Sequence, residues 1–144
     1  VEGLKQYFRK NGINRNSERT NTELYLFSTL PPTIRIEVLE DYLQKDSNAL
    51  VLEKLSKAYG KADQLEKLKE RLADWIEKGY TDQNMAEMLY ESAEILNRYA
   101  DRLPIAKGME QARANFDAAM SVVKDPVDEE FREIMQSIFN EIVS

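Results

Sequence analysis

The chain has neither cysteine nor histidine, and only five glycines and four prolines among its 144 residues. Without cysteine there is no disulfide, thiolate metal ligand or thiol nucleophile, and a reducing, intracellular compartment is the simpler expectation. Without histidine the commonest general base, the commonest zinc ligand and the usual partner of a catalytic serine are missing. No apolar run approaches the ~20 residues that cross a bilayer, and no charged lead with an apolar stretch reads as a secretory signal. A soluble, cytoplasmic protein is expected, with no membrane contact, cofactor, bound metal or small-molecule substrate. Carboxylate chemistry remains open in principle. The acids, however, fall at helical surface spacing, with no Glu-x-x-His or Asp-rich loop to gather them, so a non-enzyme is expected. The first residue is Val1 and not methionine, which suggests a piece of a longer polypeptide.

What the chain does have is 42% apolar residues, enough for a real core. Apolar positions recur every three to four residues, and the glycines and prolines fall mostly between these stretches, so an all-α chain of about eight helices is expected. Leu4, Tyr7 and Phe8 form a first stripe ending at Asn11-Gly12. Ser17 is placed to cap a second helix carrying Leu24, Phe27 and Leu30. In YLFSTLPPTIRIE, residues 25–37, Leu30 and Pro31 are pushed out of helical geometry while Pro32 suits a first turn, so the chain turns a hard corner into a third helix. That helix buries Ile34, Val38, Leu39, Tyr42 and Leu43. Asp46 or Ser47 then caps a fourth bearing Leu50, Val51, Leu55 and Tyr59, which Gly60 ends. A fifth helix carries Leu65, Leu68, Leu72, Trp75 and Ile76 up to Lys78-Gly79. Thr81 or Asp82 caps a sixth with Met85, Met88, Leu89, Ser92, Ile95, Leu96 and Tyr99. After Pro104 a seventh follows with Ile105, Met109, Ala112, Phe116, Ala119, Met120 and Val123. Asp125-Pro126 reads as the cap of an eighth, whose buried face is Val127, Phe131, Ile134, Met135, Ile138 and Ile142. The composition shift at Gly60, Lys61, Ala62 and Asp63 suggests a short interdomain hinge, dividing the chain into helical domains 1–60 and 61–144.

Charge is uneven: residues 1–60 hold nine Lys/Arg against eight Asp/Glu, and residues 61–144 hold eleven against eighteen. So acidic a second half repels phosphate backbones. Trp75, Ile76 and Tyr80 read either as a partner-binding spot or as core, and the methionines either as an adaptable groove or as core filling on the buried faces. Asp128, Glu129 and Glu130 suit a helix start better than a metal site. Arg9, Lys10, Arg15 and Arg19 gather near the first turn and read either as a phosphate-binding edge or, with Glu18 and Glu23 among them, as a solvated one.

The stretches LKQYFRKNGI, SERTNTELYLFSTLPPTIRIEVLEDY and ALVLEKLSKAYGKAD, within residues 4–63, resemble the N-terminal capsid domain of Ty3/gypsy retrotransposon Gag proteins and their domesticated descendants such as Arc. Gly79, Thr81, Met85 and Leu89 stand where the family's major homology region has glycine, Ser/Thr, an aromatic and leucine, with methionine replacing the aromatic. The resemblance implies a structural capsid protein whose copies assemble into a shell around the element's RNA, as virus-like particles. It implies a homo-oligomer with a dimer contact in the second half, for which Trp75, Tyr80, Met109, Arg113 and Phe116 are the candidates. RNA would be held only indirectly, through a region outside these residues. A non-assembling helical module for protein–protein interaction shares every one of these sequence features. A helical-bundle enzyme using carboxylates would need inward-facing acids, whereas the stripes are apolar.

Overall fold

A computed structural model describes residues 1–98 and 106–140. These fold into eight helices and no strand: α1 (Glu2–Asn11), α2 (Glu18–Phe27), α3 (Pro32–Leu43), α4 (Ala49–Lys61), α5 (Leu65–Glu77), α6 (Gln83–Arg98), α7 (Met109–Val122) and α8 (Glu129–Asn140). No helix among the described residues is long and apolar enough to cross a membrane. Tyr99, Pro104, Ile105 and Ile142 lie outside the described residues.

Local chemistry sets most of the boundaries. Gly12, at φ 81° and ψ 161°, closes α1 in an extended, positive-φ conformation that favours glycine, and the Ser17 side chain accepts from the Thr20 N–H to open α2. Pro31 precedes α3 and Pro32 is its first residue, as the double proline requires. Two caps differ from the expectation. Asn48, and not Asp46 or Ser47, opens α4 by accepting from Val51 N–H at 2.9 Å, because its amide also donates to the Ile13 carbonyl and is thereby held in place. Asp125-Pro126 does not start α8; the chain turns at Asp128, whose carboxylate accepts from Glu130 N–H at 2.8 Å. Gly60 does not end α4 either, since the helix runs on to Lys61 and the left-handed residue of the following turn is Asp63, at φ 57°.

α4 is buried nearly all the way round, with Val51, Leu52, Leu55, Ala58 and Tyr59 fully enclosed, so it forms the axis of the fold. α6 lies along one side of it and α3 along another. A single core cluster takes side chains from all eight helices. α8 returns to α1, where the Phe131 ring sits 5.4 Å from Tyr7 and 6.1 Å from Phe8, and α7 lies on α2 and α8. The packing of the described residues therefore draws no boundary at Gly60, Lys61, Ala62 and Asp63; helices from both sides of the expected hinge share one interior.

Gly60 has a different role. A β-carbon there would stand 2.5 Å from the carbonyl oxygen of Ala93 in α6 and 3.1 Å from its Cα. Hydrogen at this position is what lets the two backbones approach.

The basic residues near the first turn are neutralised in place. Arg9 holds Asp41 of α3 through Nε and Nη2 at 2.8 and 2.9 Å, Lys10 meets Glu130 at 3.6 Å, and Arg15 meets Glu53 at 3.4 Å. Arg19 holds the buried Glu23 at 2.6 Å, and the Tyr7 hydroxyl donates a short hydrogen bond to the other oxygen of that carboxylate. Arg19 also donates to the Asn11 carbonyl at 2.9 Å, so one guanidinium ties α2 to the end of α1. Burial raises the Glu23 carboxyl above its ordinary range, against the opposing pull of Tyr7 and Arg19.

Two outcomes follow from this packing. Gly60→Ala forces α4 and α6 apart and destabilises the fold by about 2–3 kcal/mol in urea denaturation; an unchanged midpoint would mean the helices cross more loosely. For Glu23, the native chain holds a proton between the ordinary and the raised pKa that the unfolded chain has lost. The group therefore stabilises the fold on mild acidification and this contribution fades as pH rises. Glu23→Gln removes that term, so the stability difference between wild type and variant moves in favour of wild type as pH falls through the raised pKa to the ordinary carboxylate range; a difference independent of pH would refute the assignment.

Candidate functional site

The residues singled out in the second half fall in two places. Trp75 and Tyr80 sit at the end of α5 and in the turn after it, while Met109, Arg113 and Phe116 lie along one face of α7. Trp75 is fully buried and Phe116 nearly so, which makes both core side chains. Phe116 packs on Phe139 of α8 with ring centres 5.2 Å apart. Tyr80 and Met109 are half-buried against the core, and Arg113 donates to the Asn140 side chain at 2.6 Å across the α7/α8 cleft.

Around Trp75 the local structure is firm. Arg71, one turn earlier on α5, holds Glu40 of α3 with 2.7 Å between Nε and Oε2, and its guanidinium stands 5.6 Å from the Trp75 ring. At the other end of α5, Gly79 takes φ 79°, its N–H reaching the Ile76 carbonyl, and the Tyr80 N–H returns to the Trp75 carbonyl at 2.8 Å. The Asp82 carboxylate then accepts from Met85 N–H at 2.8 Å and starts α6. Thus Gly79 occupies a position that needs positive φ, Thr81 lies in the turn, Met85 is half-buried and Leu89 is buried.

This turn folds α5 and α6 into a hairpin, and the hairpin leaves an open groove of about 420 Å³ on its outer side. Leu72, Ala73 and Ile76 of α5 and Ala86 and Tyr90 of α6 supply an apolar floor. Lys69 stands on the α5 rim, and Gln83 and Glu87 on the α6 rim, where the Gln83 amide donates to Glu87 at 3.0 Å. Sequence reasoning reached Ile76 and Trp75 but missed the groove, whose signal was the alanine pair Ala73 and Ala86 standing where larger residues would fill the space. Met88 and Ile95 occupy the opposite flank of α6, 60% and 48% exposed, so the reading that puts every methionine on a buried face fails at Met88. Asp128, Glu129 and Glu130 are exposed at the start of α8, and no set of three or more metal-ligating side chains gathers among the described residues.

No family model, curated protein or solved structure matches the chain.

Because Trp75 lies beneath the groove and not on it, Trp75→Ala acts on folding: a loss of about 3–5 kcal/mol in chemical denaturation is expected. A well-folded Trp75→Ala variant of near-native stability would show that the indole is a surface contact after all.

Proposed function

We propose that the chain is a capsid-type building block of an LTR retrotransposon or retrovirus-like Gag protein, whose copies associate into a shell around the element's RNA. The observation that carries this reading is the groove between α5 and α6. It pairs an apolar floor with a cation on one rim, Lys69, and an anion on the other, Glu87. Such a surface is self-complementary about a two-fold axis, because Lys69 of each copy then faces Glu87 of the other while the two floors cover one another. Gly79, Thr81, Met85 and Leu89 stand in the turn and helix that build this hairpin, which is where the resemblance puts the family's homology region. RNA would be held by a region outside these residues.

In this reading the eight helices act as one unit, and shell curvature arises from the angle between copies. Individual contacts are weak, and avidity across many of them holds the shell. A non-assembling interaction module is the second reading: the same groove would then take a helix of another protein, and the chain by itself would stay monomeric.

Sedimentation velocity separates the two. The capsid reading expects mass to rise with concentration, and more steeply in high salt, because screening relieves repulsion between copies that each carry a net charge of −6. Rim ion pairs contribute only about 0–1 kcal/mol each, so salt weakens them less than it helps the whole. Ile76→Asp should leave the circular dichroism spectrum unchanged and abolish association. Lys69→Glu should weaken association, and combining it with Glu87→Lys should restore it. A strict monomer at millimolar concentration in both low and high salt would sink the proposal.

A further inference from the structure

On the other side of α4, helices α2, α3, α4 and α6 enclose a cleft of about 260 Å³ whose polar lining is almost wholly cationic. Lys54, Lys57 and Lys61 follow one another at three- and four-residue spacing on the same face of α4, and Arg35 enters from α3. Leu24, Phe27, Leu39 and Leu96 form the apolar remainder of its wall. No Asp or Glu lines the cleft among the described residues.

The Arg35 side chain gives this cleft its character. The residue is only 8% exposed, and its Nε donates to the Leu30 carbonyl at 3.1 Å, yet no described carboxylate pairs with its guanidinium. Burial alone pulls it down to about 10. Lys54 is half-buried and makes no hydrogen bond or ion pair among the described residues; burial lowers its pKa, and Lys57, Lys61 and Arg35 lower it further against the pull of Glu53. Glu53 itself is engaged with Lys57 at 3.0 Å and with Arg15.

A buried cation without a partner is costly, and even the more exposed Arg9, Lys10, Arg15 and Arg19 each have a carboxylate. Arg35 and Lys54 are the exception: they share one cleft, in a chain whose net charge is −6, and neither pairs with a carboxylate among the described residues. Arginine adds a planar fork suited to two oxygens of one phosphoryl group, and the lysines add point charges along a chain of them.

We propose that this cleft is a binding site for a small oligophosphate anion, with Arg35 and Lys54 as its principal ligands and Lys57 and Lys61 along its rim. Bound phosphate supplies the countercharge that Arg35 and Lys54 lack. The site lies apart from the α5/α6 groove and does not depend on association between copies.

Isothermal titration calorimetry of the intact chain with inorganic tripolyphosphate, at about 0.15 M salt, tests this. One-to-one binding is expected. Lys54→Gln keeps most of the apolar stem, leaves the fold intact by circular dichroism, and should weaken binding at least tenfold; Lys69→Gln, on the far surface, should leave it unchanged. Equal loss in both variants, or no heat with tripolyphosphate at millimolar concentration, would overturn the proposal. An adenosine triphosphate titration identifies the source. Binding equal to tripolyphosphate means that the phosphate chain alone is read. Tighter binding means that the wall of Phe27 and Leu96 also holds the base.

Discussion

The close crossing of α4 and α6 governs the rest of the molecule. Gly60 meets the Ala93 carbonyl so nearly that no β-carbon fits between them, and Ala58 and Ala93 are both fully buried. Two helices brought this near leave little room for large side chains between their axes, so the bulky ones are displaced to either side. Leu52, Leu55 and Tyr59 of α4 and Leu89 of α6 are all buried in the one core. α5 can then lie along α6, where Arg71 fixes it to Glu40 of α3, and the outer face of that hairpin becomes the groove. Rigid placement of the groove on a packed hairpin suits the proposed contact between copies, in which a loose subunit angle would multiply from copy to copy.

Electrostatics divides the surface along the same axis. Around α1 every cation singled out from the sequence finds a carboxylate: Arg9 with Asp41, Lys10 with Glu130, Arg15 with Glu53, Arg19 with Glu23. Of these, Arg19 and Glu23 matter most to the fold, because Glu23 is buried and also accepts from the Tyr7 hydroxyl. The exposed pairs contribute little each. The cleft that α4 forms with α2 and α3 has only cations among its charged lining; Lys57 there is paired with Glu53, while Arg35 and Lys54 meet no carboxylate among the described residues.

Where a structural decision is made by neighbouring residues, the sequence was readable. Pro31-Pro32 fixes the corner before α3, Ser17 caps α2, Gly12 closes α1, and the three-to-four spacing of apolar residues identifies all eight helices. Where several residues compete for one task, distant contacts decide. Asn48 wins over Asp46 and Ser47 because Ile13, far away in the chain, accepts from its amide, while Asp46 is engaged by the Tyr42 hydroxyl. Gly60 looked like a terminator since glycine often ends helices, but its reason for being glycine lies in α6. Met88 fell into the apolar stripe with Met85 and Leu89, although a helix turns about 100° per residue and carries it clear of the interior. Candidate contact residues were chosen by type, and tryptophan is attractive both to interfaces and to cores; only burial separates the two at Trp75. The lysines at 54, 57 and 61 were legible as one helical face, but the depth of the cleft depends on α2, α3 and α6.

The cationic cleft and the α4/α6 crossing are linked through one helix. Burial first, and then the like charges gathered on α4, hold the Lys54 amine below its ordinary range, so folding costs more when the amine is charged than when it is neutral. The crossing at Gly60 and the fully buried Val51, Leu52 and Leu55 on the remaining faces of α4 offset that cost. An anion that binds the folded chain and not the unfolded one adds stabilisation that grows with the logarithm of its concentration. The helix that carries the most packing is therefore the one best able to hold unmatched charge, and a site built on it is preorganised before any ligand arrives. Elsewhere on this surface, where side chains are exposed and mobile, the same four cations would spread into water and bind phosphate only diffusely.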